Sequence, residues 1–256
     1  MAGAVFPDWI DGPFSWERSA QLGGSLDGML TEYASLPEHA VVRIPDHLTF
    51  EEASTLPCAG VTAWHALTCG QPVMPGNTVL TLGSGGVSLF ALQLAKAFGA
   101  RVISTTSSEE KAERLKVLGA DEVIDYYRNP DWHSLVREWT DGRGVDRVIE
   151  VGGGGTLEKS IKSVAADGHI SQVGWLASES SSISIGAIAS NVFTLKRIAL
   201  GSRAHFEAMN RAIAASRLRP VIDRVFSFEE AGEALSYFKD NSRFGKVVIR
   251  MEQGRA

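Results

Sequence analysis

From Asn77 onward the chain alternates between short apolar runs and stretches whose apolar residues recur at helical spacing. Val79, Leu80 and Leu82 form the kind of run that a parallel strand covered on both faces requires. Leu89, Leu92, Gln93, Lys96 and Ala97 then fall at helical spacing, and Gly99 closes that helix before a second apolar run over 101–104. The same alternation predicts helices over 109–118, 131–140 and 156–165, and strands over 122–125, 145–150 and 169–173, with a turn at 152–155. Strands separated by helices of this length specify a parallel sheet with helices on both faces, so residues 77–175 are expected to form a doubly wound α/β domain.

The flanks have a different pattern. Residues 1–24 are rich in Gly, Pro and aromatic residues without a period and read as a loop-like arm. The segment from Leu26, with turn residues at Asp27-Gly28 and Pro37-Glu38, suggests short antiparallel strands. Thr49 is placed to cap a helix whose first turn holds Glu51 and Glu52; Pro57 interrupts it, and a second helix follows over 59–68. Beyond the sheet region we expect a Ser-rich loop over 178–190, a strand over 197–202, helices over 205–216 and 227–240 (the latter capped by Ser227), and a strand over 246–250.

Composition narrows the function classes. The chain has 256 residues, 44% of them hydrophobic, enough for one large core or two smaller ones. Its 25 basic and 30 acidic residues leave a net charge of −5 with no basic block, which argues against nucleic acid as a partner. The uncharged span 72–95 is long enough to imitate a membrane helix, but Asn77, Thr78, Thr81 and its glycines speak against one. The N-terminus lacks the basic and apolar regions of a secretory signal, and Cys58 and Cys69 make no disulfide framework, so a cytoplasmic location is expected.

The turn Gly83-Ser84-Gly85-Gly86 carries the chemistry. It follows a strand and opens a helix, where glycines let the backbone approach a pyrophosphate and the helix amides face its negative charge. A bare glycine turn without a ligand is the alternative.

Five segments together, LPCAGVTAWHAL, PGNTVLTLGSGGVSLFALQLAKAFGARVIST, EKAERLKVLGADEVIDY, GVDRVIEVGGGGTL and FGKVVI, resemble the zinc-type alcohol dehydrogenase and quinone-oxidoreductase-like members of the medium-chain dehydrogenase/reductase superfamily. The resemblance runs from about Leu26 to Ile249 and implies a Rossmann domain beside a GroES-like, β-rich catalytic domain, with the nicotinamide in the cleft between them. We expect a reduced catalytic domain over 1–58, the Rossmann domain over 59–203, and a C-terminal return over 204–256. The family's first zinc-ligand Cys and Gly-His-Glu segment do not occur, so the chain reads as an N-terminally shortened member, either naturally short or numbered from inside a longer parent.

By that resemblance Gly83, Ser84, Gly85, Gly86 and Val87 bind the pyrophosphate. Where a ribose-binding acid would mark NAD, the chain has Thr106, Ser107 and Ser108, with Lys111 nearby, which favours NADP(H). Ser107 and Ser108 are equally suited to capping the next helix. The resemblance also implies cofactor contacts for Tyr126, Gly152, Gly153, Val173, Gly174, Phe244 and Lys246, and a polarising role for Thr62 with Trp64 lining the pocket. Cys58 falls at the family's third zinc-ligand position, but no His group is spaced to join it, so zinc is not expected. The expected activity is NADP(H)-dependent hydride transfer involving a small carbonyl, alcohol, enone or quinone. The alternative is a redox-silent dinucleotide-binding derivative that performs a cyclisation or isomerisation or acts in regulation. A homodimer joined through edge strands, including 197–202, is also expected.

Overall fold

The computed structural model describes residues 2–3, 5–175, 183–239 and 243–251. The chain divides into two compact units, residues 1–64 with 200–256, and residues 65–199.

In the first unit β1 (Ala2–Gly3) pairs antiparallel with β2 (Val41–Val42). The antiparallel strands expected from Leu26 onward reduce to β2, and residues 27–37 form no strand. Met29, Leu30 and Tyr33 are exposed, so their alternation has no buried face to pair it with. α1 (Phe50–Ser54) starts as expected: Thr49 Oγ1 accepts from the Glu52 amide at 3.2 Å, and the Glu52 carboxylate accepts from the Thr49 amide at 2.8 Å. Pro57 lies in a π-type turn, Leu56–Gly60, which delays α2 to Val61–Thr68.

The second unit contains, in order, β3 (Thr78–Leu82), α3 (Gly86–Ala97), β4 (Arg101–Thr106), α4 (Glu109–Val117), β5 (Glu122–Asp125), α5 (Trp132–Glu138), β6 (Val145–Glu150), α6 (Leu157–Ser163), β7 (Val164–Gln172), α7 (Ile185–Ala189) and β8 (Phe193–Arg197). The six strands form one all-parallel sheet in the order β5-β4-β3-β6-β7-β8. Chain order reverses between β3 and β6, the switch point at which open α/β sheets bind ligands. Leu80, Leu82, Ile103, Ile124, Trp132, Val136, Val148, Ile161 and Ile170 pack in one buried cluster. Each such side chain stabilises the fold by about 1.5–3 kcal/mol on burial.

Three expectations here need correction. The helix expected over 156–165 ends at Ser163, because Val164 and Ala165 are buried in β7. The strand expected over 197–202 lies earlier, at Phe193–Arg197, since β8 must run beside Gly168–Gln172. In the Ser-rich segment, Ser184 caps the short α7, while 176–182 lie outside the described residues.

The chain then returns to the first unit with α8 (Arg203–Ser216), β9 (Ile222–Ser227), α9 (Ala231–Lys239) and β10 (Lys246–Arg250), the two strands pairing in parallel. β9 is absent from the sequence reading because Asp223 and Arg224 interrupt its apolar run; Ser227 ends that strand and the helix begins at Ala231, while Ser227 Oγ still accepts from the Glu230 amide at 3.4 Å and the Glu230 carboxylate from the Ser227 amide at 2.8 Å. The N-terminal arm is irregular but anchored. Trp9 is 1% exposed, and the carbonyls of Trp9 and Ile10 accept from the Arg203 and Ala204 amides, both at 2.9 Å, satisfying donors in the first turn of α8.

Candidate functional site

The glycine turn sits at the C-terminal end of β3, at the switch point. Gly83 has φ +72°, a left-handed conformation that favours glycine, and its amide is held by the Thr105 carbonyl at 3.0 Å. Ser84 is buried, and Ser88 Oγ donates to the Leu82 carbonyl at 2.6 Å, fixing the entry to α3. Gly85 is the N-cap residue of α3, with Gly86 and Val87 next, and no side chain caps the helix. Gly85 has ordinary extended backbone, φ −77° and ψ 170°, and a Cβ added there would meet nothing within 4 Å. Neither backbone strain nor packing within the protein therefore calls for glycine at this position. Open space before the amides of a twelve-residue helix suits an anionic ligand.

The end of β4 adds a polar wall. Thr106 is 1% exposed, and its Oγ1 has no hydrogen-bond partner among the described residues. An orphaned buried hydroxyl costs about 1–3 kcal/mol unless something meets it. Ser108 caps α4, accepting from the Lys111 amide at 3.3 Å, while the Ser107 side chain hydrogen-bonds Tyr126. The Tyr126 amide donates to the Thr106 carbonyl at 3.0 Å, and burial pushes its phenol above the ordinary tyrosine range. No acidic side chain occurs between Arg101 and Ser108.

At the end of β6 stands a residue the sequence reading missed. The Glu150 carboxyl is fully buried: Oε1 accepts from the amides of Gly152 (2.7 Å) and Gly153 (3.0 Å) and from the Thr156 hydroxyl (2.6 Å), and Oε2 accepts from Ser160. The Gly152 and Gly153 amides thus face Glu150. The Glu150 carbonyl accepts from Val173 at 2.7 Å and Gly174 at 3.3 Å, which seats those two residues beside the same turn. Its only sequence signal was an acid closing an apolar strand just before glycines.

The remaining expected residues belong to the first unit. Thr62 is 4% exposed, and its Oγ1 donates to the Cys58 carbonyl at 2.6 Å; Trp64 is half-buried. Phe244 is buried. Cys58 is exposed and neighbours the half-buried Lys246.

The zinc-binding dehydrogenase family profile matches residues 86–215. A zinc-type alcohol dehydrogenase-like protein of Schizosaccharomyces pombe is 44% identical over 96% of this chain and 73% of its own length. The chain belongs to the medium-chain dehydrogenase/reductase superfamily. Like other members of this superfamily of oxidoreductases, it has solved relatives of the same fold. The crystal structure of a candidate alcohol dehydrogenase from Sinorhizobium meliloti 1021 superimposes with a TM-score of 0.90 at 42% identity, covering 97% of this chain and 73% of that one. Two other solved relatives differ in coenzyme: an NAD-dependent alcohol dehydrogenase (TM-score 0.84, 35% identity, 90% and 67% covered) and a mycobacterial protein in complex with NADPH (TM-score 0.73, 29% identity, 82% and 68% covered).

The family's zinc demands about three protein ligands around the ion. Among the described residues no three His, Cys, Asp or Glu side chains are grouped to hold a metal. Nor is any helix among them long and apolar enough to cross a membrane.

Proposed function

We propose that this medium-chain dehydrogenase/reductase member binds NADP(H) at the glycine turn and passes a hydride between the nicotinamide and a small carbonyl or activated double bond. The open space over Gly85 at the uncapped start of α3 carries this reading. The cofactor supplies the hydride chemistry; the chain's residues bind and orient it. The α3 amides and the Gly83–Val87 backbone take the pyrophosphate. Ser107, Ser108 and Lys111 take a 2′-phosphate at the acid-free end of β4, with the unsatisfied Thr106 hydroxyl beside them. Tyr126 flanks the adenosine, Val173 and Gly174 the nicotinamide, and Phe244 and Lys246 the phosphates. Thr62 polarises the acceptor, with Trp64 lining its pocket and no step passing through zinc. Residues 1–58, 59–203 and 204–256 serve as catalytic remnant, Rossmann domain and return, in a cytoplasmic enzyme that pairs as a homodimer through the free edge of β8. Calorimetry with NADPH and NADH, followed by NADPH oxidation with enones, quinones and aldehydes, tests the reading.

A redox-silent reading has one observation in its favour: the Thr62 hydroxyl is buried and engaged on Cys58. Tight NADPH binding with no oxidation by any acceptor class would support it.

A further inference from the structure

The second unit has a cavity of about 410 Å3 at the opposite end of the sheet from the glycine turn. Asn77, which lines it, precedes the first residue of β3, whereas the glycine turn follows the last. The volume falls within the range of small-molecule sites. Arg147, from β6, lines the cavity and is 2% exposed. Its Nη1 donates to Ser171 Oγ at 3.1 Å and lies 3.6 Å from Cys69 Sγ; its Nη2 donates to the Cys69 carbonyl at 3.1 Å and to the Gln71 carbonyl. None of these partners is a carboxylate. The carbonyl dipoles hold the guanidinium in place, but its full charge stays unbalanced in a buried setting.

The other charges at the cavity do not cancel it. Arg143 is paired with Asp146, whose second oxygen accepts from the Thr78 amide at 2.7 Å. Lys196, on β8, is exposed and forms no ion pair among the described residues, and Asp167 is the one other carboxylate in the lining. The His169 imidazole, buried and facing Arg147 and Lys196, is pushed down to about 4 and stands neutral near pH 7. Arg147 and Lys196 thus outnumber Asp167.

We propose that this cavity binds a small oxyanion, a phosphate or carboxylate, held by the Lys196 ammonium within the field of the buried Arg147 guanidinium. The anion arrives either as free phosphate or as the head group of a small ester. This site stands apart from the dinucleotide site in the fold, so its test separates from that of the proposed function.

The full chain is titrated with inorganic phosphate and, separately, with glycerol phosphate, following the Gly70 and Thr194 amides and the His169 imidazole by NMR. Both anions should shift these amides and raise the His169 pKa, and tighter binding of the ester would assign the site to an ester-borne head group. Lys196→Gln should weaken binding about threefold, the scale of an exposed ion pair. Lys196→Glu should abolish it without unfolding an exposed position, and Gly85→Val should leave it unchanged. Shifts confined to the Gly83–Val87 amides, or equal affinity in Lys196→Glu, would overturn the proposal.

Discussion

The Thr156 hydroxyl donates to the buried Glu150 carboxyl at 2.6 Å, and the same oxygen collects the amides of Gly152 and Gly153. One side chain therefore organises the turn that follows β6, and the turn offers it donors only. Glu150→Leu leaves the Gly152 and Gly153 amides without their acceptor. It should destabilise the protein by about 1–3 kcal/mol, the cost of an unmet buried group. Denaturant unfolding measures the loss, and hydrogen exchange at the Gly152 and Gly153 amides should accelerate.

Gly85→Val separates binding from folding. The backbone there is ordinary and the space beyond it open, so stability should fall by no more than about 1 kcal/mol, the scale of a poorer N-cap residue. Dinucleotide affinity should be lost, because the new side chain occupies the space the pyrophosphate would enter. Thermal melting and NADPH calorimetry check the two halves; unchanged affinity would remove the glycine turn as the site.

NADPH should bind at least about tenfold more tightly than NADH, or about 1.4 kcal/mol. Ser107→Asp places a carboxylate at the end of β4 and should narrow or reverse that ratio. Equal affinities in the unsubstituted protein would mean that the hydroxyls at 107 and 108 serve only Tyr126 and the α4 cap.

His169 gives stability a pH dependence of known sign. Burial first, then Arg147 and Lys196, holds its pKa near 4 against an ordinary value of 6.5. The unfolded chain takes up a proton below pH 6.5 that the folded chain refuses until about pH 4. Stability should therefore fall as pH drops through that window, by at most about 3.5 kcal/mol at roughly 1.4 kcal/mol per pH unit. Urea unfolding from pH 7 to 4 should show the slope, and His169→Gln should flatten it.

β8 borders the sheet on one side only, and Val192 and Leu195 are exposed there. If that edge joins two copies, Leu195→Lys should shift light-scattering mass from dimer toward monomer. A monomer at micromolar concentration before substitution would count against the pairing.

The sequence alone determined the α/β alternation, the glycine turn after β3, the Thr49–Glu52 cap and the absence of an acid at the end of β4. Each depends on neighbours only a few positions apart, where helix and strand geometry set who meets whom. Tertiary structure decided the rest. β9 stayed hidden because Asp223 and Arg224 break its pattern, and only pairing with β10 makes it a strand. The aromatic arm read as loose, yet Trp9 and Ile10 supply carbonyls to the start of α8 far along the chain. Arg147 lies within a strand the pattern predicts, but its partners at Cys69 stand 78 residues away. Such contacts follow from which strands lie side by side, and local periodicity carries no record of that order.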